Sequence, residues 1–219
     1  ALLKENDAEI VRCAFQNRFR TRTEQWLADE SRCVMEGKVF LARFATDWTC
    51  GLLWNKLYKR ALFDGIFFEE GHKIDDEYFT YQGVMNAAKV VCDPRVVYNY
   101  RQRASSVMQS PAARAQIAID RIDFMAKRRE KVLERFPELR REFDISFVDA
   151  LSYLADYPDN TEESIRLLKY YARRYFLQRG NTFPPRYLLK AVFLMYVTGT
   201  EKLLKRPQAK KPSPEDYYA

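Results

Sequence analysis

The pattern of apolar and polar positions changes character near residue 110. Before that point short β-type runs alternate with helical pieces; beyond it, apolar residues recur every three or four positions. The run Glu9–Phe15 predicts a strand. A polar, Arg- and Thr-rich stretch from Asn17 to Ser31 predicts a loop. Lys38 to Phe44 opens a helix, Leu52 to Lys59 suits a strand, and Arg60 to Phe63 suits a helical turn. Asp75 to Ala88 has helical spacing through Phe79, Val84, Met85 and Ala88, with acids in the first turn where the helix dipole favours them. Two strand-like runs, Lys89–Cys92 and Val96–Arg101, flank the breaker Asp93–Pro94.

From Pro111, placed as a first helical residue after Ser110, an apolar stripe runs through Ala118, Ile122, Met125, Val132, Leu133 and Phe136. Pro137 restarts a helix whose stripe is Phe143, Phe147, Val148, Leu151 and Leu154. After a turn at Tyr157–Asn160, Thr161 caps a third helix with Ile165, Leu168, Ala172, Tyr175 and Phe176 inward. Gly180–Asn181 ends it, and Pro184–Pro185 opens a last helix to Leu204. The expected fold class is α+β and helix-rich, in three segments: a mixed sheet region over 1–109, a helical extension over 110–206, and a Pro- and Lys-rich tail over 207–219.

Apolar residues make up 47% of the 219 positions, enough for a core. The net charge of +7 fits anionic partners without selecting among nucleotides, phospholipid surfaces and nucleic acid. No nucleic-acid recognition motif accompanies it. With only 7 glycines the chain has neither GxGxxG nor GxxxxGK[ST], which disfavours a self-contained dinucleotide or Walker-type site. Cys13, Cys33, Cys50 and Cys92 form no CxxC pair, and the pattern lacks the four clustered ligands of structural zinc; reduced, mostly buried thiols are expected. The single histidine, His72, argues against Ser-His-Asp and Cys-His catalysis. The longest apolar stretch, Tyr187 to Val197, is interrupted by Lys190 and is about half the ~20 residues a spanning helix needs. The chain opens Ala1-Leu2-Leu3-Lys4-Glu5, which reads as the end of a helix that starts earlier.

The chemically informative block runs from Trp54 to Met108. Asp75, Asp76 and Glu77 crowd three carboxylates at a helix start. Like-charge repulsion raises a pKa there and the helix N-terminus lowers it, so the net direction stays open. Arg101 and Arg103, two apart on an extended segment, share one side and suit a phosphate or carboxylate. Trp54 and Tyr58 offer a stacking wall for a sugar ring, or simply core aromatics.

The order Trp54-Asn55-Lys56-Leu57-Tyr58-Lys59-Arg60, then Phe68-Glu69-Glu70-Gly71, then Asp75-Asp76-Glu77, then Tyr98-Asn99-Tyr100-Arg101-Gln102-Arg103 with Ser106, resembles the second half of family 2 glycosyltransferases with the GT-A fold. Asn6–Cys13 resembles the strand after that family's metal-binding Asp-x-Asp, so the likeness spans about residues 1 to 110. It implies inverting transfer of a sugar from a nucleotide-sugar donor to a saccharide or lipid-linked acceptor. Asp76 falls on the catalytic base, with Asp75 where the family usually has Glu. Arg101, Arg103 and Ser106 fall on the loop approaching the donor phosphates, and Trp54, Asn55 and Lys56 on the acceptor cleft. His72, just before the acids, is a weaker candidate for acceptor or metal contact. The likeness further implies a divalent metal, Mg or Mn, whose ligands precede this chain along with the nucleotide-binding half. The chain alone is therefore expected to turn over little.

Such an enzyme is expected in the cytoplasm, peripheral at the inner face of the membrane. A partial sheet would leave an edge and an apolar face, to be covered by the long helices or by a homodimer partner. The alternative is a non-catalytic basic helical module docking on an anionic membrane face or a partner protein, through Arg166, Lys169, Arg173, Arg174, Lys190, Lys202, Lys205 and Arg206.

Overall fold

The computed structural model describes residues 1–26, 29–155, 161–176, 185–187, 189, 192 and 212–218. The chain divides into two compact units: Ala1–Glu70 with Asp75–Gln109 and Lys210–Ala219, and Gly71–Ile74 with Ser110–Ala209. The junction between Gln109 and Ser110 falls where the sequence pattern changes. Gly71–Ile74 nevertheless joins the helical unit, and the described end of the tail joins the sheet unit.

The first unit is built on five strands: β1 (Ile10–Arg18), β2 (Thr23–Trp26), β3 (Cys33–Glu36), β4 (Lys56–Tyr58) and β5 (Lys89–Arg101). Their order is β2-β1-β5-β3, with β4 also on β1. β1 runs parallel to β5 and antiparallel to β2 and β4, while β3 is antiparallel to β5, so the sheet is mixed. β1 is central because its apolar residues suit burial on both faces: Ile10, Val11, Ala14 and Phe15 are all buried. Three helices belong here: α1 (Leu2–Glu5), α2 (Gly37–Arg43) and α3 (Asp75–Met85). α2 buries Phe40 and Leu41, and α3 buries Tyr78, Tyr81 and Val84.

Several expectations change. The Asn17–Ser31 stretch is not all loop: Phe19 N–H donates to the Arg22 carbonyl at 2.9 Å, closing a hairpin that brings β2 onto β1. β3 was not legible in the pattern. The predicted Leu52–Lys59 strand shrinks to Lys56–Tyr58 because a 3-10 turn at Trp48–Cys50 and a bend occupy the residues before it. Asp93–Pro94 does not end a strand. β5 passes through it with a register shift: Cys13 pairs with Asp93, whereas Ala14 pairs with Val96. Proline brings no ladder N–H, so the strand bulges there. The Asp93 carboxylate then accepts from Arg95 N and Nε, both at 2.9 Å. The tail's described part docks on the sheet unit: Tyr218 N donates to Gln102 O at 3.0 Å and Ala104 N to Tyr218 O at 2.9 Å.

The second unit holds α4 (Pro111–Arg135), α5 (Arg140–Ala155) and α6 (Glu162–Phe176). Ile122, Phe147, Val148, Leu151, Leu154, Leu168, Ala172 and Tyr175 form a core drawn from the predicted stripes, but Ile165, expected inward, lies exposed on α6. Thr161 caps α6, its Oγ1 accepting from Ser164 N at 3.2 Å. Gly180–Asn181 and most of the last predicted helix lie outside the described residues. Among the described residues no helix is long and apolar enough to cross a membrane.

Candidate functional site

The sheet unit carries a cluster of charged and polar side chains between β1, β4, the 3-10 turn and the start of α3. It begins with an arginine inside an apolar strand. Arg12 is 1% exposed, and a guanidinium that deep needs compensation. Its Nη2 sits 2.5 Å from Asp47 Oδ2 and also donates to Thr49 Oγ1. Asp47 in turn caps the 3-10 turn, accepting from Thr49 N at 2.9 Å. Burial works against the Asp47 carboxylate, but the Arg12 charge and the Thr49 hydrogen bonds outweigh it and hold its pKa below 3.8.

The start of β4 then delivers Lys56, with Asn55 in the turn just before it. Lys56 pairs with Arg12 across the ladder. Its ammonium turns inward and donates to Asn55 Oδ1 at 2.8 Å, Thr49 O at 3.3 Å and Leu52 O. Burial, with Arg12 adding positive charge, lowers its pKa to about 7. Asn55 is itself buried. The neighbouring Cys50 thiol is pushed up to about 12 by burial.

α3 supplies the acids. Asp75 is exposed, whereas Asp76 and Glu77 are half-buried. Glu77 packs against Gly51 so closely that a Cβ there would lie 2.4 Å from Glu77 Oε2. Only glycine leaves the carboxylate that position. Burial raises the Asp76 pKa from 3.8 to about 6, with the charges of Glu77 and Asp75 adding to it and a backbone hydrogen bond and Lys56 opposing it. Burial also raises Tyr58, whose hydroxyl lies beside Thr80 and near Asp76.

The predicted residues therefore split. Asp76, Glu77, Lys56 and Asn55 come together. Among the described residues no ion pair joins Asp76 to Arg101 or Arg103. Lys56 pairs with Arg12 near the start of β1 and Arg101 with Arg18 at its end, six residues or about 20 Å apart at ~3.3 Å per residue. The cation near Asp76 is Lys56. Arg101 instead lies over the Tyr218 ring at 4.3 Å, and Arg103 bridges to Tyr218. Ser106 is part-buried in the turn after it, its N–H donating to Arg103 O at 3.1 Å.

The proposed stacking wall is also redistributed. Trp54 stacks on Tyr100 at 5.3 Å and lies tilted on Tyr98 at 4.4 Å, while Tyr58 faces Phe63 at 5.1 Å. His72, in the helical unit, is held 3.3 Å from buried Asp120, which also accepts from Lys73 N at 2.6 Å. It is a tethered residue and not a free loop histidine.

Arg12, Asp47, Thr49, Cys50 and Gly51 were missed. The usable signal was an arginine inside Ile10-Val11-Arg12-Cys13-Ala14-Phe15, which demands a buried acceptor, and Asp47-Trp48-Thr49, an N-cap pattern.

A hard divalent cation such as Mg or Mn does not fit these acids. Asp75, Asp76 and Glu77 do not converge their oxygens; among the described residues the trio that does is Asp29, Cys33 and Cys92. The sequence matches no family model and has no significant match among curated proteins.

Proposed function

We propose that this chain is the acceptor-side portion of an inverting glycosyltransferase of GT-A type, with Asp76 as general base. The observation that carries the reading is a carboxyl held at about 6 beside Lys56 and Glu77, in a segment whose motif order resembles family 2 enzymes. A base with that pKa is largely ionised at neutral pH and still takes up a proton readily. In the reaction the acceptor hydroxyl transfers its proton to Asp76 as its oxygen bonds to the anomeric carbon. The bond from that carbon to the nucleoside diphosphate oxygen breaks, and the diphosphate leaves with the electron pair. Glu77, seated on Gly51, keeps Asp76 basic, and Lys56 stabilises the charged carboxylate. Trp54 with Tyr98 and Tyr100 offers aromatic area suited to a sugar ring. Arg101, Arg103 and Ser106 enter as phosphate ligands through the resemblance alone.

The test is Asp76→Asn in the full-length gene product, with nucleotide release followed over a panel of nucleotide sugars and saccharide or lipid-linked acceptors. Loss of a general base predicts a fall of about 100- to 10,000-fold. Asp75→Asn, at an exposed position, leaves most activity. Wild-type rates in Asp76→Asn defeat the assignment.

A second reading has its own support. α6 presents Arg166, Arg173 and Arg174 outward beside exposed Ile165 and Tyr170, while Leu168, Ala172 and Tyr175 face the core. Such a face suits an anionic membrane surface. Lys190, Lys202, Lys205 and Arg206 lie outside the described residues. Sedimentation with vesicles containing anionic lipid, absent with neutral ones and lost on charge reversal of α6, supports docking; no sedimentation removes it.

A further inference from the structure

β3 and β5 place two cysteines directly opposite each other: Cys33 pairs with Cys92 in the antiparallel ladder. Cross-strand partners hold their Cβ atoms about 4.5–5.5 Å apart, so both side chains leave the same face together. Asp29 reaches over from the preceding segment. Its carboxylate and the two sulfurs all lie within 4.8 Å of one another. Both thiols hydrogen-bond to Asp29, and Cys33 also to Cys92. Cys92 is fully buried, whereas Cys33 and Asp29 are partly exposed. The trio is therefore anchored at its base and reachable at its rim.

We infer that Asp29, Cys33 and Cys92 form a binding site for a soft divalent cation, zinc being the natural occupant. Two thiolates and one carboxylate favour zinc over magnesium or calcium, which prefer all-oxygen shells. Zinc–sulfur bonds of about 2.3 Å and zinc–oxygen bonds of about 2.0–2.2 Å in a tetrahedron need ligand atoms roughly 3.5–4 Å apart, so small side-chain movements complete the shell. The protons displaced are the ones the two thiols now direct within the trio, and they leave to solvent. Charge is also balanced: Arg43 Nη1 contacts Asp29 at 2.8 and 3.0 Å, so one guanidinium and one dication offset three anionic ligands. Arg43 uses one nitrogen, and the carboxylate keeps lone pairs for the metal. Three protein ligands leave the fourth position to water, the pattern of an open zinc site.

The site is tested on the 219-residue chain, reduced with a phosphine, by titration with cobalt(II) and displacement by zinc(II). Expected are a near-ultraviolet thiolate-to-cobalt band and the visible bands of tetrahedral cobalt, at one equivalent, bleached by zinc. Cys33→Ser and Cys92→Ser each remove about half or more of the thiolate band. Asp29→Asn weakens cobalt binding by more than about 10-fold. Cys13→Ser changes nothing. Zinc also protects Cys33 from alkylation and leaves Cys13 unprotected. No thiolate band, or a band that survives both cysteine variants, overturns the proposal. So does a trio whose only chemistry is oxidation to a Cys33–Cys92 disulfide with no cobalt uptake. Undiminished cobalt affinity in Asp29→Asn overturns the three-ligand assignment.

Discussion

Replacing Asp76 by Asn removes a carboxyl whose ionisation the fold resists. The folded protein holds this carboxyl at about 6 against an ordinary 3.8, burial being the main cause and Glu77 and Asp75 the next. A difference of about two pH units is on the order of 3 kcal/mol at ~1.36 kcal/mol per unit, an upper figure because a half-buried group is partly screened by solvent. The sign follows from proton counting. Between about pH 4 and pH 6 the folded state holds the proton more tightly than the unfolded chain. Stability from this carboxyl is thus complete below about pH 4 and is lost as pH rises through about 6. Lys56 acts in a separate window. Its pKa is lowered to about 7, so its contribution is complete above its unfolded pKa of about 10.5 and is lost as pH falls through about 7. Urea unfolding of wild type and Asp76→Asn at about pH 4 and about pH 6.5 therefore isolates Asp76. The variant gains roughly 1–2 kcal/mol on wild type between those two points, the upper end being the undiscounted figure. Parallel profiles, agreeing within about 0.5 kcal/mol, refute the placement of Asp76 beside Glu77 in a desolvated pocket.

Gly51→Ala displaces the Glu77 carboxylate, the flexible end of a side chain. Asp76 then titrates closer to its ordinary range by carbon-detected NMR, and stability falls by less than about 1 kcal/mol. Gly37→Ala acts on rigid backbone instead: a Cβ there would lie 1.8 Å from the Ala87 carbonyl oxygen, and denaturation shows a loss of about 3 kcal/mol or more. In the helical unit, Arg129 Nε donates to Asp144 at 2.7 Å and both side chains are buried. Asp144→Ala strands the guanidinium and costs about 3–5 kcal/mol, whereas an apolar replacement of both partners recovers most of it by thermal unfolding.

Helix positions were legible wherever one element carried its own periodicity: the α5 stripe and most of the α6 stripe entered the core of the second unit, although Ile165 turned outward. The acid triplet was also legible, because a helix start is a local feature. β3 and β2 were not, since four-residue edge strands such as Cys33–Glu36 and Thr23–Trp26 exist only because β5 and β1 offer them hydrogen-bond partners. Asp93–Pro94 misled for the same reason: the local rule says stop, but a parallel partner holds the strand together through the bulge.

The amino-acid order by itself determined that the chain divides near residue 110, that its second part is helical, and that Asp76, Glu77 and Lys56 belong to one chemically charged block. Those facts depend on spacing over a few turns or strands. The tertiary structure alone decided which charges meet. It brought Lys56, not Arg101, near Asp76, seated Glu77 on Gly51, buried Arg12 against Asp47 and set Cys33 across from Cys92. Pairings between residues 20 to 59 positions apart are set by strand register and burial, and neither quantity is carried by any short stretch of sequence.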